Sequence, residues 1–375
     1  MLVSVPDLLP LFLELTGIAS PPGDERPVAD RVIDYLRELG LEPSEDDAGR
    51  RIDATAGNIL SSLEPTSDRG TPLFFCAHMD TVPPDGPIEP VVEDGIVKNA
   101  GGTILGADNK AALAVMLEAV RRCVAERRPH AGIELLFTPK EEVGLFGAAS
   151  FDADRLRAQV GYVYDQAAPI GDVILGAPHS RAMEVRFHGR ASHSGMYPEE
   201  GRSAIAAAAR AVADLRLGRV DDVTTANIGT IVGGTAGNII PEWCTLTAEA
   251  RSHDETKLAD LVQEMLDSFA FAATLAECEV ETELRKSYRG YRFRSDDVPV
   301  AFAQRALERC GYEVRLGLSG GAADANVFNE RGLQCVNLAN GVLDIHTPSE
   351  RVSVADLDGM VDVTLALVDE ARDDA

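Results

Sequence analysis

A short apolar run, Leu73 to Ala77, ends in His78-Met79-Asp80 and is followed by the break Pro83-Pro84-Asp85-Gly86. A run of that length and content, bounded by turn residues, predicts a buried strand. Ile133 to Phe137 and Val160 to Tyr164 repeat the pattern, with helical periodicity between the runs. Strands separated by helices in this way predict an α/β fold with a helix-covered, mainly parallel sheet. Alternation along a strand sends residues i and i+2 to one side. His78 and Asp80 are therefore expected to face a single site at the sheet's C-terminal edge, where open α/β sheets hold their ligands. A neutral imidazole suits a borderline metal, and a nearby carboxylate can accept its other N–H and fix its orientation.

With 375 residues the chain is expected to form two domains. Helices are predicted from about Pro6 to Leu15 and from Asp24 to Leu39, and a further helix is entered at Asp108. A long Gly/Pro-containing loop through Lys98-Asn99-Ala100-Gly101-Gly102 precedes that last helix. The middle of the chain changes character. Strand, helix, strand, strand, helix, strand follow one another over Ala182–His188, Arg202–Leu215, Thr224–Val232, Trp243–Arg251, Glu255–Ala273 and Cys278–Leu284. That order is ferredoxin-like, and it predicts an inserted α+β domain at 179–290. The insertion divides a catalytic, metal-binding domain into 1–178 and 291–375. The α/β pattern resumes with a helix at Val298–Arg309, strands at Tyr312–Leu316 and Gln334–Leu338, and a helix at Val354–Ala371, after which an acidic tail is expected to fray.

Charge and cysteine usage exclude several roles. A net charge of −26 argues against nucleic acid or an anionic membrane as a partner. No apolar stretch reaches 18 residues, so no membrane span is expected. Cys76, Cys123, Cys244, Cys278, Cys310 and Cys335 are scattered without a CxxC pair. That spacing argues against thiolate zinc sites and a disulfide framework, and makes a reducing cytoplasm the simplest setting. The first twenty residues lack a basic leader region and carry Asp7 and Glu14 within their apolar pattern, so they read as an amphipathic helix.

Further chemistry-bearing residues fall where strands end or helices begin. Asp108, in Gly106-Ala107-Asp108-Asn109-Lys110, reads either as a helix N-cap or as a carboxylate shared by two metals. Glu141-Glu142 follows a buried strand and precedes Gly144. Such a pair can divide its work, one carboxylate binding metal and the other taking a proton from a bound water. Asp165 ends the next strand, and His346 follows a glycine-containing loop near the end of the chain. Together these positions offer nitrogen and oxygen ligands only, a set that suits two Zn²⁺, Co²⁺ or Mn²⁺ ions.

In this order, His78-x-Asp80, Gly106-Ala107-Asp108-Asn109-Lys110, Glu141-Glu142-x-Gly144, Asp165 and His346-Thr347-Pro348-x-Glu350 resemble the signature of the M20 family of dinuclear zinc peptidases and amidohydrolases. The resemblance spans nearly the whole chain and implies that the inserted domain is a lid and dimerisation domain. It makes His78, Asp108 and Asp165 ligands of one metal, and Asp108, Glu142 and His346 ligands of the other. Asp80 is expected to orient His78, and Glu141 to act as general base and acid. His193, in Ala191-Ser192-His193-Ser194-Gly195, matches the family's lid histidine that stabilises an oxyanion, typically from a partner subunit. Asn238 and Arg251 match lid residues that contact substrate, although a strand-end ion pair accounts equally well for Arg251. The pattern breaks at Gly320-Gly321-Ala322-Ala323-Asp324, where a hydroxyl and one glycine are missing, and at Asn109, where many members carry aspartate. Asp at position 165 resembles the aminopeptidase branch, and peptidase T-like proteins above all. The implied reaction is hydrolysis of short peptides, tripeptides among them, by a homodimer. The alternative on the same machinery is an N-acyl-amino-acid amidohydrolase or carboxypeptidase.

Overall fold

Four strands carry the strongest apolar runs, and they lie side by side. The computed structural model describes residues 7–374, so the expected helix start at Pro6 lies outside the described residues. Ile133–Thr138, Leu73–His78, Val160–Gln166 and Gln334–Ala339 are neighbours in that order, and every pair is parallel. Ile59–Leu63 and Asp172–Ala177 close the two flanks antiparallel, within a sheet of nine strands among the described residues. Parallel strands all point the same way, so their C-terminal ends share one edge.

Both faces of the sheet are covered, which is why these strands are apolar without alternation. On one face Leu73, Phe75, Tyr162 and Leu338 pack with the helices Leu8–Thr16, Arg26–Glu38, Ala107–Glu126 and Val354–Asp373. On the other, the Phe74 ring meets Phe328 of the helix Asp324–Glu330 edge-on at 5.4 Å. Gly161 stands beside Phe74 at a point where a Cβ would lie 2.2 Å from the ring, so only glycine fits between them. The helix Ala107–Glu126 is buried around almost its whole circumference from Ala107 to Val120, and its run Ala111–Leu117 is apolar on every side, as a helix within a core requires. Among the described residues no helix is long and apolar enough to cross a membrane.

The chain divides into two compact units, 177–291 and the segments flanking it. Within the smaller unit the strands run Thr224–Gly233, Trp243–Ser252, His179–His188, Glu279–Tyr288 across an antiparallel sheet, with Gly218–Asp221 added at the edge. Two helices, Ala204–Asp214 and Glu255–Leu275, cover one face and bury Phe187 against Phe269. This is the ferredoxin-like arrangement.

Three expectations need correction. The glycine-rich stretch before Asp108 is not all loop. It holds a hairpin, Pro90–Glu93 with Ile96–Asn99, completed by Arg351–Ser353, whose strands are too short to show a period. The strand expected at Tyr312–Leu316 forms instead at Arg315–Leu318, parallel to Asp172–Ala177. The final helix does not fray at Ala371 but continues to Asp373, where Arg372 bonds the Asp373 carboxylate and pairs with Asp369. A cation in the last helical turn also favours the helix dipole.

Candidate metal centre

The shared C-terminal edge gathers His78, Glu141, Glu142 and Asp165 from three adjacent strands, and Asp108 from the start of the helix Ala107–Glu126. His346 reaches the same place on a loop, held in the left-handed region with a φ of 61°. Such backbone in a non-glycine residue is strained and recurs at functional sites. Two groups of potential ligands result, His78, Asp108, Asp165 and Asp108, Glu142, His346, each with its donor atoms within 4.8 Å of one another. Asp108 belongs to both. Its Oδ1 lies 3.4 Å from His78 Nε2, and its Oδ2 lies 3.3 Å from His346 Nε2. Glu142 Oε1 stands 3.2 Å from the same His346 nitrogen.

The backbone that carries Asp108, Asp165 and the glutamate pair is fixed by further buried groups. Glu350 Oε2 accepts the N–H groups of Leu105 and Gly106, both at 2.8 Å, while Oε1 accepts that of Asp108 at 2.9 Å. Asn337 accepts the Asp165 N–H at 2.9 Å and donates to the Asp165 carbonyl at 2.8 Å. The Asp80 carboxylate accepts from Glu141 N–H at 2.9 Å and from Glu142 N–H at 3.1 Å. That last observation adds to the expected role of Asp80. His78 Nδ1 lies 2.8 Å from the Asp80 backbone carbonyl and 3.6 Å from its carboxylate. The Asp80 main chain thus contacts the imidazole directly, while its carboxylate lies beside the ring and holds the glutamate turn.

The electrostatics are those of a site built around positive charge. Burial pushes the Glu141 carboxyl well above its ordinary range, and the Asp165, Asp324 and Glu142 charges add to this against an opposing pull from His78. Burial and Asp108 do the same to Asp165. Burial disfavours a charged His78, but the Asp108 and Asp80 carboxylates outweigh it and hold its pKa well above the usual value. His346, bonded to Asp108 and Glu142, is raised to about 10. The surrounding carboxylates thus favour the protonated form of both imidazoles. A divalent cation must displace those protons. Both folded-state pKa values lie above the ordinary 6.5, so protons compete most strongly below it and progressively less as pH rises through about 10. Titration calorimetry in buffers of different ionisation enthalpy is expected to show proton release on metal binding and an affinity that climbs from pH 6.5 towards 9. An affinity independent of pH would contradict this account of the site.

Three residues escaped the sequence reading. Glu350 lies within a quoted motif, yet nothing in the sequence says that its partners are backbone amides. Asn337 carries no signal beyond its place in an apolar strand. Asp324 closes the altered glycine loop and lies buried, accepting from Thr138 Oγ1 at 2.6 Å and facing Cys76 Sγ at 3.7 Å. Burial raises it to about 6.

The remaining candidates belong to the smaller unit. His193 is exposed, and its Nδ1 accepts the N–H groups of Gly195 at 3.2 Å and Met196 at 3.1 Å. Two donors on Nδ1 assign the ring proton of the neutral form to Nε2. The Ser194 N–H donates to the Asn238 carbonyl at 3.0 Å, which brings the His193 and Asn238 loops together. Arg251 pairs with Glu249 and lies over the Tyr288 ring at 5.9 Å. The strand-end ion pair is thus present.

Comparison with known proteins bears on this arrangement. The model of peptidase family M20/M25/M40 matches residues 74–370. The chain belongs to that family. This M20 peptidase is 38% identical over 364 residues to the uncharacterized protein YqjE of Bacillus subtilis, covering 97% of this chain and 98% of that one. Its structure is similar to that of the aminopeptidase PepT from Bacillus cereus, with a TM-score of 0.89, 36% identity and coverage of 99% and 100% of the two chains. It is likewise similar to a tripeptidase from Staphylococcus aureus, with a TM-score of 0.93, 34% identity and the same coverage. As a member of a peptidase family, the M20 peptidase is a hydrolase of peptide bonds.

Proposed function

We propose that this M20 peptidase is an aminopeptidase that cleaves short peptides, tripeptides in particular, and that it works with two divalent ions. The observation that carries the reading is Asp108, which turns one carboxylate oxygen to each of two histidines, 3.4 and 3.3 Å away. A single metal or a helix cap needs no such double disposition. His78, Asp108 and Asp165 would hold one ion, and Asp108, Glu142 and His346 the other. The donor set suits Zn²⁺, with Co²⁺ or Mn²⁺ as substitutes. When bound, the pair would supply Lewis acidity and bring the pKa of a water towards neutrality.

The chain's own residues supply the proton handling. Glu141 is adjacent to a ligand but belongs to neither group, and its raised pKa suits a base that must also give its proton back. It takes a proton from the attacking water and delivers it to the leaving amine. His193 would donate Nε2–H to the oxyanion from a partner copy, with Asn238 and Arg251 contacting substrate. To grip a carboxylate, Arg251 must exchange its Glu249 partner. A homodimer through the smaller unit is supported by the strand Thr224–Gly233. Among the described residues its outer edge is paired only over Thr224–Ala226, and Ile231 and Val232 beyond that point are exposed. An open apolar edge of that kind invites pairing with another strand. A cytoplasmic setting is supported by the cysteine spacing.

The specificity test uses metal-loaded protein with free tripeptides and N-acetylated amino acids. A site that recognises a free amine should favour the tripeptides by at least about 100-fold in kcat/KM. Turnover of the blocked substrates alone would replace this reading with the amidohydrolase alternative.

A further inference from the structure

The glutamate turn is held from one more direction. Glu25 lies at the start of the helix Arg26–Glu38 and is fully buried. It makes no side-chain hydrogen bond to its own helix. Helix capping, the ordinary use of a polar residue there, is therefore not its role. Its Oε1 instead accepts the Gly23 N–H at 2.6 Å and, 115 residues away, the Lys140 N–H at 3.2 Å. Lys140 is strained, with a φ of 54°, and its Nζ reaches back to the Ile52 and Asp53 carbonyls. With Asp80 on Glu141 and Glu142, three successive N–H groups point at two buried carboxylates. The segment around Glu25 also ties down the other ligand loops. Ser20 Oγ donates to Met79 O at 2.8 Å, Ser20 O accepts from Thr81 N–H at 3.0 Å, and the buried Lys110 Nζ donates to Ile18 O. Ile18, Ser20 and Glu25 lie outside residues 74–370, the stretch matched by the family model, while Met79, Thr81, Lys110 and Lys140, which they hold, lie within it.

We propose that Glu25 is a positioning residue for Glu141, acting through the Lys140 amide to set where the general base stands. This rests on the role given to Glu141 above. Burying a carboxylate is costly unless hydrogen bonds compensate it, and here one of the two compensating amides belongs to the residue preceding the base. Glu134 provides a matched control. It too is a buried carboxylate accepting two backbone amides, those of Arg157 and Ala158, both at 2.9 Å, besides its contacts to Arg157 Nε and Ser62 Oγ, but it lies at the far end of the strand Ile133–Thr138 from the glutamate turn.

The test compares Glu25→Ala, Glu25→Gln and Glu134→Ala by amide hydrogen exchange on metal-free protein and by steady-state kinetics on metal-loaded protein. Loss of a charge-assisted bond should speed exchange at Lys140 to Glu142 by at least about ten-fold in Glu25→Ala. Misplacement of the base should lower kcat by about 10- to 100-fold, with KM and bound metal unchanged. Glu25→Gln keeps an acceptor oxygen without the charge and should fall between Glu25→Ala and the parent protein in both readouts. Glu134→Ala should lose stability while leaving exchange at the turn and kcat near the parent values. If Glu25→Ala does not fold, Glu25→Gln decides alone, through faster exchange confined to the turn. Unchanged exchange at Lys140 to Glu142, or parallel losses in the Glu25 and Glu134 variants, would overturn the proposal. A parent protein that hydrolyses no peptide would count against the aminopeptidase reading, and the exchange data would still test the clamp.

Discussion

Glu141→Gln is expected to lower kcat by at least about 1,000-fold, the upper part of what a positioned acid–base group contributes, while both ions stay bound. The substitution keeps the shape of the side chain and removes only its ability to carry a proton between water and the leaving amine. Glu141 belongs to neither ligand group, so metal content should not change. Its backbone N–H remains on Asp80 at 2.9 Å, so the turn should also hold. Elemental analysis beside steady-state kinetics separates the outcomes. A variant that loses an ion along with its activity would make Glu141 a ligand, and one that keeps its rate would remove it from the chemistry.

Asp108→Ala is expected to be more damaging still, because one carboxylate serves both groups. His78 and His346 lose their common partner, 3.4 and 3.3 Å away. Removing one partner from a buried charged cluster leaves the rest uncompensated, typically at a cost of about 3–5 kcal/mol. The variant should bind fewer than two ions per chain at any attainable concentration, and its activity should not return with added Zn²⁺ or Co²⁺. Asp165→Ala should differ, since Asp165 belongs to one group only. It should weaken one ion and spare the other. Equal effects from the two substitutions, read by metal titration, would show that Asp108 is not shared.

The legible part of this molecule was the part written in runs and order. The apolar stretches at Leu73, Ile133 and Val160 are fully buried strands, and such strands cannot hide from a hydropathy reading. The five potential ligands and Glu141 were likewise findable, because each stands at or past a strand end, at a helix entry or on the loop of the last motif, in a recognisable order. What the sequence does not carry is who accepts whose backbone N–H. Glu350, Asn337, Asp80 and Glu25 each hold a main chain remote in sequence, and a backbone amide has no letter. For the same reason the sequence does not show that the Asp80 carbonyl, as well as its carboxylate, faces His78. The short hairpin at Pro90–Asn99 escaped because strands of four residues show no period, and the persistence of the last helix depends on where Arg372 finds its partners.

Diffraction from metal-loaded crystals at the zinc absorption edge tests the pairing of the ions around Asp108 without reference to any substrate. The account predicts two anomalous peaks about 3.5–4 Å apart, one beside His78 and Asp165 and the other beside Glu142 and His346, with a different Asp108 oxygen on each. A single peak, or two peaks of which only one touches Asp108, would contradict it.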